Sequence, residues 1–134
     1  MTSAVVIDCV RTAIGRAHKD KGVFRNVRSD DLAVEVVEAL VRRTGIAPEE
    51  IEDVVLGNTQ QQGEQGFDVA RAVALMAGLP VETGGATVNR LCGSSLQALN
   101  QAAHAVIAGF ELGTGVYVNS VEPKDASVQL RSAP

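Results

Sequence analysis

One thiol stands where residue type and local pattern coincide. In "TVNRLCGSSLQALNQAAHAVIAGF", Thr87 to Phe110, Cys92 follows a short β-branched run and directly precedes Gly93, Ser94, Ser95 and a long helical pattern. If a strand ends near Leu91 and a helix starts at Gly93, the sulfur sits at a helix N-terminus, where unpaired N–H groups and the dipole favour a thiolate. Gly93, Ser94 and Ser95 add no bulk, so a ligand can approach the backbone and the exposed N–H groups can receive a developing oxyanion. This combination suits acyl transfer onto sulfur by nucleophilic catalysis. A free cysteine is also often a small buried residue, and position by itself leaves both readings open.

Other chemistries find less support. Cys9 and Cys92 are the only two cysteines and lie far apart, which argues against a disulfide framework and excludes a metal site of CxxC type. Cys9, at the end of an apolar run, reads as a buried structural thiol. No strand-to-helix turn carries GxGxxG or GxxxxGK[ST], so nucleotide binding of the Rossmann or P-loop kind is not indicated. The net charge is −4 and aromatic residues make up 3%, which offers neither a basic stripe nor a stacking platform for nucleic acid. The N-terminus has no signal-like pattern and no apolar run is long enough to span a bilayer, so a cytoplasmic location without a membrane partner is expected. His104 falls with Gln97 and Gln101 on a polar helix face and His18 in a charged loop, so neither is a convincing general base.

The elements that must position the thiol follow from periodicity. The chain has 134 residues, 46% of them hydrophobic and 21% charged, as expected of one globular domain. "AVVIDCV", Ala4 to Val10, reads as a strand covered on both faces. After a charged, glycine-broken loop, Ser29 is expected as the N-cap of a helix whose apolar face is Ala33, Val36, Val37, Leu40 and Val41, ending at Gly45. Pro48 opens a single helical turn before the strand "DVVLG". A glutamine-rich loop from Gln60 to Gln65 leads to a second helix with Phe67, Ala70, Val73 and Ala77 on one face and a stop at Gly78 and Pro80. "ATV" begins a third strand. The third helix places Leu96, Leu99, Ala103 and Val106 on one face, and "GVYVNSVE" makes a fourth strand. "PKDASVQLRSAP" loses the pattern and reads as a tail. The alternation predicts an α/β fold with a mostly parallel sheet and helices on both faces.

"VNRLCGSSLQAL" closely resembles the active-cysteine segment of thiolases, the 3-ketoacyl-CoA thiolases of fatty-acid β-oxidation and, more broadly, the acetyl-CoA acetyltransferases. "VVIDCVRTAIGRAHKDKGVFRNVRSDDL" and "VVLGNTQQQGEQGFDVARAVALMAGLP" are similar, in order, to that family's N-terminal strand and loop and to its second strand, loop and "AR" helix. The resemblance runs from about Ser3 to Gly109. It implies a thiolase-like half-fold, residues 1–122, stopping before the family's loop domain and C-terminal half, with 123–134 as a divergent tail. It further implies that Cys92 accepts the acyl group and offers its backbone N–H to the oxyanion, with coenzyme A as substrate and no bound cofactor or metal. The family's second half supplies Asn-Glu-Ala, Gly-His-Pro and Cys-x-Gly segments, and none of these strings occurs in the 134 residues.

An acyl-CoA C-acyltransferase fragment is therefore expected, with acyl-CoA and CoA as partners, either as a homo-oligomer or paired with a C-terminal thiolase half. The alternative is a non-catalytic or split thiolase-like subunit that needs a partner chain for its base. A β-ketoacyl synthase of the same superfamily fits less well, because the "NRLCGSS" context is that of degradative thiolases. Arg71 reads as a structural hydrogen-bonder. The cations Arg11, Arg16, Lys19, Lys21, Arg25 and Arg28 read as a solvated loop.

Overall fold

The computed structural model describes residues 3–16, 18–109, 114–118 and 126–132, the last two segments as strand backbone. Five strands, β1 (Ala4–Arg11), β2 (Ile51–Gly57), β3 (Gly84–Val88), β4 (Thr114–Val118) and β5 (Ala126–Ser132), form one sheet in the order β1-β5-β4-β2-β3. Three helices, α1 (Ser29–Thr44), α2 (Val69–Met76) and α3 (Ser94–Ala108), pack on it. β2 pairs in parallel with both β3 and β4, and β5 runs antiparallel to its neighbours β1 and β4. Four strands thus share one direction, and the mostly parallel sheet expected from the alternation is present.

Alternation along β2 divides the core between the two faces of the sheet. Val54 and Leu56 pack with Ala33, Val37 and Leu40 of α1 and with Val69, Ala70, Val73 and Ala74 of α2. Val55, between them in sequence, packs with Ala98 and Ala102 of α3. Successive strand residues point to opposite faces, so helices are needed on both. Gly45 and Gly109 end α1 and α3 in the left-handed conformation, at φ 65° and 75°.

Several sequence expectations are corrected. β1 and β2 follow one another along the chain through α1 and run in the same direction, yet β5 and β4 lie between them in the sheet. β1 is an edge strand rather than a strand covered on both faces: Val5, Val6 and Ile7 are exposed, and so is Cys9, expected as a buried thiol. Arg28, not Ser29, is the N-cap of α1; the Ser29 hydroxyl and N–H instead donate to Glu64 Oε1, each at 2.7 Å. Phe67 precedes α2 at φ 54° and is fully exposed, so it contributes nothing to that helix's apolar face. Leu96 is exposed as well; alanines, which let α3 approach the sheet closely, bury in its place.

The stretch read as a patternless tail contains β5. Val128 and Leu130 alternate with Ser127, Gln129 and Arg131, a short period-2 signal, and β1 and β4 supply its ladder partners on either side. Asn119 to Glu122, expected to complete the fourth strand, lie outside the described residues.

Candidate active site

β3, paired in parallel with β2 at one edge of the sheet, delivers the chain to a tight turn, and α3 carries it away; Cys92 lies between them. The turn is closed by the Gly93 N–H donating to the Arg90 carbonyl at 3.0 Å and the Ser94 N–H donating to the Leu91 carbonyl at 2.9 Å. Leu91 is left-handed at φ 48°, a conformation that costs a non-glycine residue about 1–2 kcal/mol and is held only by surrounding bonds. Cys92 is exposed at the apex, so its sulfur is accessible rather than packed. The buried-thiol reading of Cys92 is thereby removed.

The helix-start geometry differs in one respect from the expectation. Gly93 is the N-cap and α3 begins at Ser94, but the Gly93 and Ser94 N–H groups are engaged in the turn itself. Neither is available to an oxyanion in this arrangement. Their engagement concerns Gly93 and Ser94 and leaves the expectation for the Cys92 N–H where the resemblance put it.

Side chains that the sequence reading passed over fix this turn to the rest of the sheet. Ser94, 1% exposed, accepts a hydrogen bond from the Arg90 N–H at 2.8 Å and donates to the Leu91 carbonyl at 2.6 Å. Asn89 Oδ1 accepts from the Leu91 N–H at 3.0 Å, and its Nδ2 donates to the Thr59 carbonyl at 3.4 Å. Asn58, buried at the end of β2, accepts at Oδ1 from the Gln60 N–H at 3.0 Å and donates to the Gln65 carbonyl at 3.3 Å, which shapes the glutamine loop beside the site. An asparagine following each of two parallel strands was the available signal, because such residues often bond backbone two positions on.

Close backbone approach makes two glycines necessary. A Cβ on Gly57 would lie 2.6 Å from the Ser94 carbonyl carbon and the Ser95 nitrogen, so β2 and the start of α3 touch through a position that admits no side chain. A Cβ on Gly85 would lie 2.4 Å from the Arg71 nitrogen, which is how α2 reaches β3. Arg71 itself donates to the carbonyls of Thr83 and Val81, the structural role expected of it. Thr87 of β3 ties in α2 further by accepting from the Ala70 N–H at 3.1 Å and donating to Asp68 Oδ1 at 2.7 Å.

Among the described residues, neither histidine is hydrogen-bonded to Cys92. His18 Nδ1 accepts from the N–H groups of Asp20 and Lys21, a turn-capping role that its description as a solvated loop residue omitted. His104 is exposed on α3, ten residues beyond the helix start and so about 15 Å along its axis. The loop cations are exposed as expected, but Arg28 grips Asp30 with two bonds at 3.0 and 2.6 Å. Hydrogen bonding to Arg28 holds the Asp30 carboxyl below its ordinary value, and bonding to Ser29 does the same for Glu64. Among the described residues, two open cavities are lined without Cys92. One of about 450 Å³ is lined by Glu49, Glu52, Asp53 and Glu82 among others, and one of about 570 Å³ by Cys9, Arg11 and Arg43 among others. Among the described residues, no group of three or more His, Cys, Asp or Glu is arranged to hold a metal, and no helix is long and apolar enough to cross a membrane.

The turn lies within the part of the chain that known proteins match. The family described as "Thiolase, N-terminal domain" matches residues 4–116. A 3-ketoacyl-CoA thiolase of Shewanella loihica is 49% identical over 123 residues, covering 91% of this chain and 31% of that protein. Proteins of the same name from Shewanella frigidimarina and Colwellia psychrerythraea are 52% and 49% identical over 110 residues, covering 81% of this chain and 28% of each relative. The chain thus spans about a third of the length of the curated relatives it matches.

Proposed function

The chain belongs to the thiolase family, and on that premise we propose that it supplies the acyl-accepting half of a cytoplasmic 3-ketoacyl-CoA thiolase of the β-oxidation type, with Cys92 as nucleophile. The observation that carries this reading is the exposed sulfur of Cys92 at the apex of the β3–α3 turn, next to a left-handed Leu91. In the proposed reaction the Cys92 thiolate attacks the 3-keto carbon of a 3-ketoacyl-CoA. The bond between C2 and C3 breaks, and its electron pair leaves on C2, which takes up a proton as acetyl-CoA departs. The acyl group, now a thioester on Cys92, passes to the sulfur of free CoA, whose thiol gives up its proton to a base, and the Cys92 thiolate is released.

Deprotonating the thiol and protonating the departing carbon both require a group within hydrogen-bond reach. His18 is committed to a turn and His104 is remote along α3. That placement favours a second reading, in which this chain is a thiolase-like subunit that acquires its base from another polypeptide and turns nothing over alone. The two readings share the nucleophile and differ in turnover.

Thiolysis of acetoacetyl-CoA by CoA, assayed with the purified 134-residue chain, separates them. Low or undetectable turnover together with acetyl transfer to Cys92, seen by mass spectrometry and lost in Cys92→Ser, is the expected result. Turnover at rates typical of enzymes would overturn the need for a second chain. Acetyl transfer that survives Cys92→Ser would overturn the nucleophile assignment.

A further inference from the structure

We infer that Ser94 and Asn89 are positioning residues that hold Leu91 left-handed and thereby fix where Cys92 is presented. The inference rests on the reading of Cys92 as the nucleophile. Its physical basis is the backbone accounting of Arg90 and Leu91. The Arg90 N–H goes to Ser94 Oγ and its carbonyl to the Gly93 N–H; the Leu91 N–H goes to Asn89 Oδ1 and its carbonyl accepts from both Ser94 Oγ and the Ser94 N–H. All four backbone polar groups of Arg90 and Leu91 are therefore paired, three of them through the Ser94 hydroxyl or the Asn89 amide. Leu91 itself is 72% exposed, so apolar packing does not hold it at φ 48°. The hydrogen bonds are what remain to over-determine that conformation.

The two side chains anchor to different parts of the molecule. Ser94 is buried at the first position of α3, against the site where Gly57 of β2 leaves no room for a Cβ. Asn89 reaches across to the Thr59 carbonyl in the loop after β2. The turn is thus pinned to both ends of the β2–α3 contact, and the Cys92 sulfur takes its place from that frame. Loss of either anchor lets Leu91 return to negative φ, which reorients the peptide preceding Cys92 and carries the sulfur away from the helix start.

The test is alkylation of the 134-residue chain by iodoacetamide, with modification at Cys92 and Cys9 quantified separately by peptide mass spectrometry, so that exposed Cys9 is an internal reference. Ser94→Ala and Asn89→Ala are each expected to lower the Cys92 to Cys9 rate ratio by about twofold to fivefold, the size of a helix-terminus effect. Asn89→Ser, which retains an acceptor able to reach the backbone two residues on, is expected to recover most of the ratio. In a Leu91→Gly background the left-handed turn carries no steric cost, so Ser94→Ala is expected to lose at least half of its effect, a non-additivity that a merely structural role would not produce. If Ser94→Ala does not fold, the exposed Asn89 variants decide the matter. An unchanged ratio in the folded alanine variants overturns the inference and leaves the nucleophile reading intact, and undiminished losses in the Leu91→Gly background overturn it as well. Equal rates at the two cysteines of the unsubstituted chain remove the nucleophile reading, and the positioning inference with it.

Discussion

β1 and β2 are built from similar residues and occupy opposite environments. "AVVIDCVR" and "IEDVVLG" are both short, β-branched and interrupted by one or two acids. In β2, Ile51 and Val54 to Leu56 are at most 2% exposed, with α1 and α2 on one face and α3 on the other. In β1, Val6 is 58% exposed, and among the described residues the strand's one ladder partner is the antiparallel β5. Their acids diverge as well. Asp8 of β1 pairs with Arg43 at 3.0 Å, while Asp53 of β2 loses solvent by burial, which raises its carboxyl above the ordinary value. A strand's composition states that it wants cover; its neighbours decide how much it receives.

Substitutions should reproduce that contrast, and the largest effect belongs to the centre of β2. Leu56→Ala, at a fully buried position, is expected to lose about 2–5 kcal/mol in urea or guanidinium unfolding, by transfer and cavity terms together. A loss below about 1 kcal/mol would mean that the β2 core is not packed as described. Next comes Gly57→Ala, whose Cβ meets α3 backbone rather than a movable side chain. Overpacking is expected to cost about 1–3 kcal/mol and to shift the iodoacetamide rate at Cys92 while leaving that at Cys9 unchanged. In β1, Val6→Thr should change stability by no more than about 0.5 kcal/mol, and a loss comparable to that of Leu56→Ala would show that β1 is covered in solution.

The smallest difference is one of pH. Asp53 has its folded value raised by burial, so the stability it confers is fully present below its ordinary carboxylate range and is lost as pH rises through the raised folded value. Asp53→Asn has no such loss. The variant is therefore expected to gain on the unsubstituted chain as pH climbs from 3 towards neutrality, to a plateau, in thermal melts taken across that range. A stability difference independent of pH would remove burial of the charge as the cause.

Much of the fold was legible in the residues, and the failures share a cause. Helix α1 and its stop at Gly45 were readable because a 3.6-residue period and a left-handed terminator are local signals. The same holds for Gly109 at the end of α3. Phe67 and Leu96 were assigned to apolar faces by period alone, yet both are exposed, because what packs there depends on how closely a helix can approach the sheet. Ser29 was a sound N-cap by type, and Glu64, thirty-five residues away, claimed its hydroxyl. At the candidate site, the place of Cys92 between β3 and α3 was legible from the pattern around it, whereas the hydrogen bonds of Ser94 and Asn89 depend on a turn whose dihedral angles no spacing encodes.

The sequence by itself determined that this chain alternates strands and helices, that a thiol stands at the third strand-to-helix junction, and that the surrounding residues are those of thiolases. These are properties of residue type and near neighbours along the chain. Only the tertiary structure decided that β5 separates β1 from β4, that Cys9 is exposed, and that the Gly93 and Ser94 N–H groups close the turn rather than face a ligand. Each of those outcomes depends on which backbone groups and side chains meet across long sequence separations, and a hydrogen bond or a buried face belongs to the pair that forms it rather than to either member alone.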